Sequence, residues 1–553
     1  MRDVMNRFSI QSPYIVFVFA IFFASPPILA QTDDAISAPL ILGVLDFPNS
    51  GAEAAQEPFE RGVMLLHSFE FEDSRVAFLE AQEIDPGFAM AIWGEAMTLN
   101  HPLWKQQDRD TALEILTRLP PRDERNTTER EERFISAIEV LYGEGAKNAR
   151  DVAYRDAMRQ MHEDYPDDLE AAAFYALSIL GSVYERDFRT YMLAASIAEE
   201  VFAKQPKHPG AAHYLIHSYD DQIHAPLGLR AARAYSKIAP AAAHAQHMVS
   251  HIYTSLGMWD DVIYANRTAV QVSEDSMRRM GRPVALRNKH SLHWLEYALL
   301  QQGRLSEARD TLVVMKEDVA TFPSMQQQRH SAMMRASYAV QDPQGEIILG
   351  VADHSELPLE WRAVDIFASA FMMIANGDLD EAQGELNALQ KQIDGAKVLT
   401  VEEGLHEDDS ATSEDGYKIA TIIARELESL LLFHVGDVDS AINILAAAVA
   451  DENTRPLTYG PPHVPKPSSE LMGEMLLTLE RPEDAIPNFE QSLARNTSKT
   501  LSLLGLARAQ EAAGDPVASE TWKKIEANWQ GDTATLRAMQ YSWLPTVKAA
   551  AAK

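Results

Sequence analysis

HPGAAHYLIHSYDDQIHAPLG (208–228), AAAHAQHMVSHIYTSLGMWDD (241–261) and RNKHSLHWLEYALLQQGR (287–304) are the stretches on which the reading of this chain turns. Between residues 208 and 293 lie nine of its 17 histidines, where an even spread over 553 residues would place between two and three. His213/His217 and His247/His251 are both HxxxH, and the second pair follows the first by 34 residues. Pro206 and Pro240 keep the same offset, and Gly257 and Gly303 follow His-bearing apolar segments as turn residues would. A period of this length with such punctuation marks a repeated helix–turn–helix unit.

With the turn glycine of each unit at place 15 and its small second-helix residue at place 20, His213 and His217 occupy places 5 and 9. His244, His247 and His251 then occupy 2, 5 and 9, and His290 and His293 occupy 2 and 5. On a helix turning ~100° per residue, places 2, 5, 9, 12 and 13 share one side and the packing places 4, 7, 8 and 11 the other. The histidines therefore lie on the face turned away from the repeat core.

The period and punctuation resemble the tetratricopeptide (TPR) repeat over most of residues 54–530. The phrases LLHSFEF, WGEAMTLNHPLW, HYLIHSYDD and SHIYTSLGMWDDV look similar to large exported bacterial TPR proteins of unassigned role. The resemblance implies an all-α fold, a right-handed TPR-type α-solenoid of roughly ten units. It further implies that this face of each first helix lines the concave groove, so that seven imidazoles meet one hollow. TPR grooves that bind peptides generally use Asn, Lys and Arg, and here those places carry histidine.

Composition bounds the function. The net charge is −32, from 81 acidic against 49 basic residues, with no long basic tract, so nucleic acid is a poor partner. Cysteine is absent, which removes disulfides and thiolate metal sites and leaves nitrogen, oxygen and weak thioether ligands. Residues 1–30 carry Arg2 and Arg7 ahead of an apolar run, Tyr14 to Ala24, and end on Ala30. That order is expected of a secretory signal peptide, hence a periplasmic or secreted bacterial protein with no stable membrane span after cleavage.

Residues 31–53 read as a lead-in, 54–400 as solenoid including the His-rich units 208–310, and 417–530 as C-terminal units before a tail, 531–553. Between them VEEGLHEDDSATSEDG (401–416), with seven carboxylates, reads as an acidic insertion without the Asp spacing of a calcium loop. Residues 105–135 read as a charged loop and a polar helix start. His67 and His101 fall at place 13 and are expected to face the hollow. Val364, Phe367, Phe371 and Ile374 form an apolar groove stretch suited to burial or to a protein or peptide partner. Glu470 and Glu474 with His463 form a second polar candidate, and such a pair is ordinarily a solvated face.

A neutral imidazole offers one lone pair to a metal, and HxxxH aims two at one point a helical turn apart. His213, His217, His247 and His251 are the foremost expected ligands, with His244, His290 and His293 as ligands or orienting groups. Places 2 and 9 lie about 10 Å apart along the axis at 1.5 Å per residue, so His244 and His251 should not share an ion. Either two metals sit in the hollow or some histidines orient others. Asp220 and Asp221, at places 12 and 13, can complete a site or hold a tautomer, while His224 belongs to the turn. Nitrogen and carboxylate donors suit copper, zinc or iron. Met248, Met258, Met277 and Met280 stand near enough in sequence to assist copper, though core filling is the ordinary role of methionine.

Three functions follow: an exported TPR scaffold holding a transition metal, a metalloenzyme with Asp220, Asp221 or Tyr297 moving protons, or a plain protein assembly adaptor. The enzyme requires a walled pocket rather than a bare groove. Nucleotide and nucleophile-elbow motifs are absent.

Overall fold

The computed structural model describes residues 40–345, 357–399, 412–457 and 459–531, with 536–537, 541 and 543–545. The proposed leader, residues 31–39 of the lead-in, residues 401–411 of the acidic insertion and much of the tail lie outside them.

Helix formation follows the repeat. Among the described residues the helices pair as eleven consecutive hairpins from Gln56–His67/Phe71–Ile84 to Thr500–Ala512/Ala518–Asn528, with one single helix, Met325–Gln341, between the seventh and eighth. Each hairpin packs chiefly on its sequence neighbours, so the architecture is the expected all-α TPR-type solenoid. Its internal logic is steric. Phe78 on a second helix fits between Gly62 and Gly94 of the two flanking first helices, where an added Cβ would come within 2.8 and 2.3 Å of its ring. Phe489 sits in the same way between Gly473 and Gly505, with corresponding distances of 2.7 and 2.1 Å. Each such fully buried aromatic contributes about 1.5–3 kcal/mol of burial. Gly257 and Gly303 take φ of 68° and 72°, the left-handed turn conformation that their place in the repeat requires.

Several sequence readings are corrected. The segment 105–135 contains the helix Arg109–Leu116, capped by Asp108, and the helix Glu129–Leu141, opened by a Thr128/Glu131 capping box. The first helix of the second unit ends at Met97, so His101 leaves the repeat count and lies in a two-residue strand, Asn100–His101, paired with Gln106–Gln107. It stacks on Phe71 at 4.1 Å. Val364, Phe367, Phe371 and Ile374 are wholly buried, and Phe371 packs against Trp543 at 5.0 Å, so they form core rather than an open docking face. Glu470 and Glu474 are not solvated. Lys466 contacts both, at 2.9 and 2.6 Å, and Lys499 donates to Glu470 at 2.7 and 2.8 Å, all four being buried. His463 instead meets Trp361 edge-on at 5.7 Å.

What positions the histidines is closure of the superhelix on itself. The first hairpin reaches the fifth and sixth: the His67 carbonyl accepts from His213 Nδ1 at 2.7 Å, Glu70 accepts the His244 backbone N–H at 2.7 Å, and Ser276 donates to Asp73 at 2.9 Å. Later units arrive from the other side. Gln222 donates to the Arg495 carbonyl at 2.7 Å, and the Thr500 hydroxyl to the Gln301 carbonyl at 2.6 Å. No helix among the described residues is long and apolar enough to cross a membrane.

Candidate metal centre

Three helices, Pro209–Tyr219, Ala243–Ser255 and Lys289–Gln301, carry the repeated histidines. They are first helices of consecutive hairpins, so equal places fall side by side. Two trios result, in each of which the nitrogens that could bind a metal lie within 4.8 Å of one another: His213, His217 and His244, and His247, His251 and His290. Each joins the places 5 and 9 of one unit to place 2 of the next. The two HxxxH pairs do not converge on one point, and His244 and His251 belong to different trios.

The ring protons are assigned by what the other nitrogen meets. His213 donates from Nδ1 to the His67 carbonyl at 2.7 Å. His247 donates from Nδ1 to Asn266 Oδ1 at 2.7 Å, and the amide cannot usefully be reversed because its Nδ2 donates to the Val262 carbonyl at 2.9 Å. His251 donates from Nδ1 to Asp220 Oδ2 at 2.6 Å. A neutral ring whose proton is on Nδ1 presents a bare lone pair at Nε2. His247 Nε2 and His251 Nε2 stand 3.1 Å apart, so two lone pairs face each other unless a cation lies between them. The 3.0 Å contact between His213 Nε2 and His217 Nε2 is less demanding, since His217 is able to donate across it. In the same trio the buried Nε2 of His244 has no hydrogen-bond partner.

Burial favours the neutral form of His213, His217, His244, His247 and His290. It presses His213 down to about 3, helped by the neighbouring His251 and His67 against the favourable bond to the His67 carbonyl. Burial, then the charge of neighbouring imidazoles, holds His217, His244, His247 and His290 well below the ordinary value.

Aromatic side chains flank both trios. Phe69 lies 4.4 Å from His213, 6.0 Å from His217 and 5.5 Å from His244, ring centre to ring centre. It holds φ of 54°, a strained conformation for a bulky residue, at the turn of the first hairpin. Trp104 adds a second contact to His244 at 5.9 Å. Over the other trio Trp294 lies 4.2 Å from His251 and 5.0 Å from His247, and Tyr459 lies 5.7 Å from His251. Beyond Phe69 opens a cleft of about 440 Å³, lined among others by Glu70, His101, Met277 and Met280. Burial raises Glu70 to about 7, against the N–H bond from His244.

The remaining sequence candidates are placed elsewhere. His293 faces His330 at 3.3 Å, Nδ1 to Nδ1, rather than the His247 trio. His330 lies on Met325–Gln341, the single helix outside the hairpin series, where the place count used for the other histidines does not run. Asp221 accepts from the Ile223 and His224 backbone at 2.8 and 2.9 Å and from His224 Nδ1, so it organises the turn. Tyr297 packs on Trp259 in the interior and is not beside the trios. Met248 is buried in the core.

A third trio, His67, Glu170 and His208, has ligand atoms equally close but a different chemistry. His208 Nδ1 accepts the Ala211 N–H at 3.1 Å, so its proton is on Nε2 and goes to Glu170 Oε1 at 3.0 Å. His67 Nε2 meets the other Glu170 oxygen at 2.8 Å, and its Nδ1 meets the Tyr214 hydroxyl at 2.8 Å. Every proton here has a partner. Burial alone would raise the Glu170 carboxyl, but the two imidazoles hold it well below the usual carboxylate range. This trio is a clasp, and by fixing His67 it also fixes the carbonyl that orients His213.

No family model matches the chain, and no curated protein matches it. Among solved structures it is similar to the APC/C hetero-tetramer Cut9–Hcn1, with TM-score 0.34 and 14% identity over 82% of this chain and 76% of that one. It is similar also to yeast Tom70, with TM-score 0.30 and 12% identity over 85% and 92%. Human IFIT1, solved as a dimer with m7Gppp-AAAA, gives TM-score 0.30 and 12% identity over 88% and 90%. The TPR-type architecture is carried by this chain's own helix order and repeat spacing rather than by these likenesses.

Proposed function

We propose that this protein is an exported TPR scaffold that binds a transition metal through two three-histidine sites, His213/His217/His244 and His247/His251/His290. The observation that carries the reading is the 3.1 Å contact between His247 Nε2 and His251 Nε2, which face each other while their Nδ1 atoms are engaged by Asn266 and Asp220. Sharing a proton would relieve it at the cost of a buried charge, which burial opposes at His247. A metal ion relieves it and uses both lone pairs. The partners at Nδ1, a carboxylate, an amide oxygen and a backbone carbonyl, are the kinds that orient metal-bound imidazoles elsewhere. Copper, zinc and iron all suit three-nitrogen donor sets. Elemental analysis of the full chain, purified without a histidine tag, should find two transition-metal ions per molecule. His247→Ala should lower that number while the far-ultraviolet circular dichroism stays helical. A chain that neither carries nor takes up metal would end this reading.

The aromatic side chains of Phe69, Trp104, Trp294 and Tyr459 around the trios favour a second reading, a metalloenzyme at the same site, because storage alone does not require a walled site. Asp220, which holds the His251 ring, is then a positioning residue. Export rests on the leader at residues 1–30 and is tested by the mass of the mature N-terminus.

A further inference from the structure

The inference rests on the two sites just proposed and concerns how they stand to each other. Within the first trio the ring centres are separated by 4.7, 5.0 and 6.5 Å. Within the second they are separated by 5.0, 4.5 and 6.3 Å. Across the seam His217 lies 6.1 Å from His251, and His244 lies 6.2 Å from His247. These two pairs across the seam are thus no farther apart than the widest pair within either trio. The cause is in the repeat: the helix Ala243–Ser255 gives His244 to one trio and His247 and His251 to the other, a displacement of three residues or about 4.5 Å of helix rise.

We propose that the six histidines form one binuclear centre whose two ions hold a small exogenous ligand, hydroxide or an anion of two or three atoms, between them. Three imidazoles leave each ion short of its preferred coordination number, so each has a position open to a further ligand. Among the described residues neither trio includes a carboxylate that would fill that position. Asp220 lies at Nδ1 of His251, on the opposite edge of that ring from the metal-facing Nε2, and Asp221 is engaged with the 223–224 turn. Size is limited by the aromatic walls, with Phe69 over one trio and Trp294 over the other. Ions bridged in this way stand about 4 Å apart, close enough for their unpaired electrons to couple.

The test uses the metal-stripped, untagged full chain, titrated with Cu²⁺ alone and then with azide, and read by electron paramagnetic resonance and absorption. Two copper ions should bind. With azide the integrated spin should fall well below two per molecule, with one azide taken up per copper pair and a charge-transfer band that saturates at that ratio. His290→Gln, checked for helicity by circular dichroism, should bind one fully visible copper and lose the azide band that requires the pair. Two copper ions with two full spins and one azide each would overturn the shared centre and leave two independent metal sites standing. A single ion in the unmodified chain would overturn the shared centre as well. No bound copper, with zinc and iron also rejected, would instead remove the metal reading on which this inference depends.

Discussion

Replacing Asp220 by Asn separates the two sites chemically. Its carboxylate accepts from His251 Nδ1 at 2.6 Å, and it belongs to neither trio's set of ligand atoms. Loss of a carboxylate behind a metal-bound imidazole costs about 10- to 100-fold in affinity, or roughly 1.4–2.7 kcal/mol. At a free metal concentration a thousandfold above the original Kd, the bound ion stabilises the folded state by about 4.1 kcal/mol. A hundredfold weaker site under the same conditions contributes only about 1.4 kcal/mol. Competition against a chelator of known affinity should therefore resolve one weakened and one unchanged ion in D220N. Thermal melting with excess metal should show a smaller metal-induced rise in Tm than in the parent. Equal weakening of both ions, or of neither, would refute the reasoning, because each outcome detaches Asp220 from a specific trio.

Other expectations follow from the same geometry. His213 is pressed to about 3 from an ordinary 6.5, and His217, His244, His247 and His290 lie well below that value. The unfolded chain therefore binds more protons than the folded one below about pH 6.5. The contribution is fully present above that pH and is lost as pH falls toward 3, so the Tm of metal-free protein should fall across this window. A flat profile there would contradict the buried neutral rings. Glu170→Gln breaks the clasp under His67 and His208 and should cost about 3–5 kcal/mol in a denaturant titration, as expected for one member of a buried network. The number of metal ions bound should not change, and losing one would make that trio a metal site after all. Gly94→Ala places a methyl 2.3 Å from the Phe78 ring and should destabilise by about 1–3 kcal/mol, measured by urea unfolding.

The repeat was readable because a solenoid writes its packing rule locally. Glycine, aromatic and proline residues recur at fixed offsets, and each unit touches mainly its neighbours. The face occupied by His213, His217, His247 and His251 was readable for the same reason, since helical period alone assigns it. His101 escaped that logic because its helix stops at Met97, and His330 because it sits on the single helix Met325–Gln341, outside the hairpin series. Glu470 and Glu474 looked like a wet face because their partners, Lys466 and Lys499, lie on either side of them in sequence and meet only on folding.

By itself, then, the sequence determined an all-α array of hairpins and a line of imidazoles along consecutive first helices. Tertiary structure decided which of these imidazoles meet. The first hairpin closes onto the fifth and sixth, bringing Phe69, Glu70 and the His67 carbonyl from about 150 or more residues away to wall, cap and orient the trios. No local period encodes that closure, because a small rotation per unit accumulates over the whole superhelix. The same contacts distinguish a hydrogen-bonded clasp at Glu170 from bare nitrogen pairs at His247 and His251, since a ring's free lone pair depends on what its other nitrogen touches.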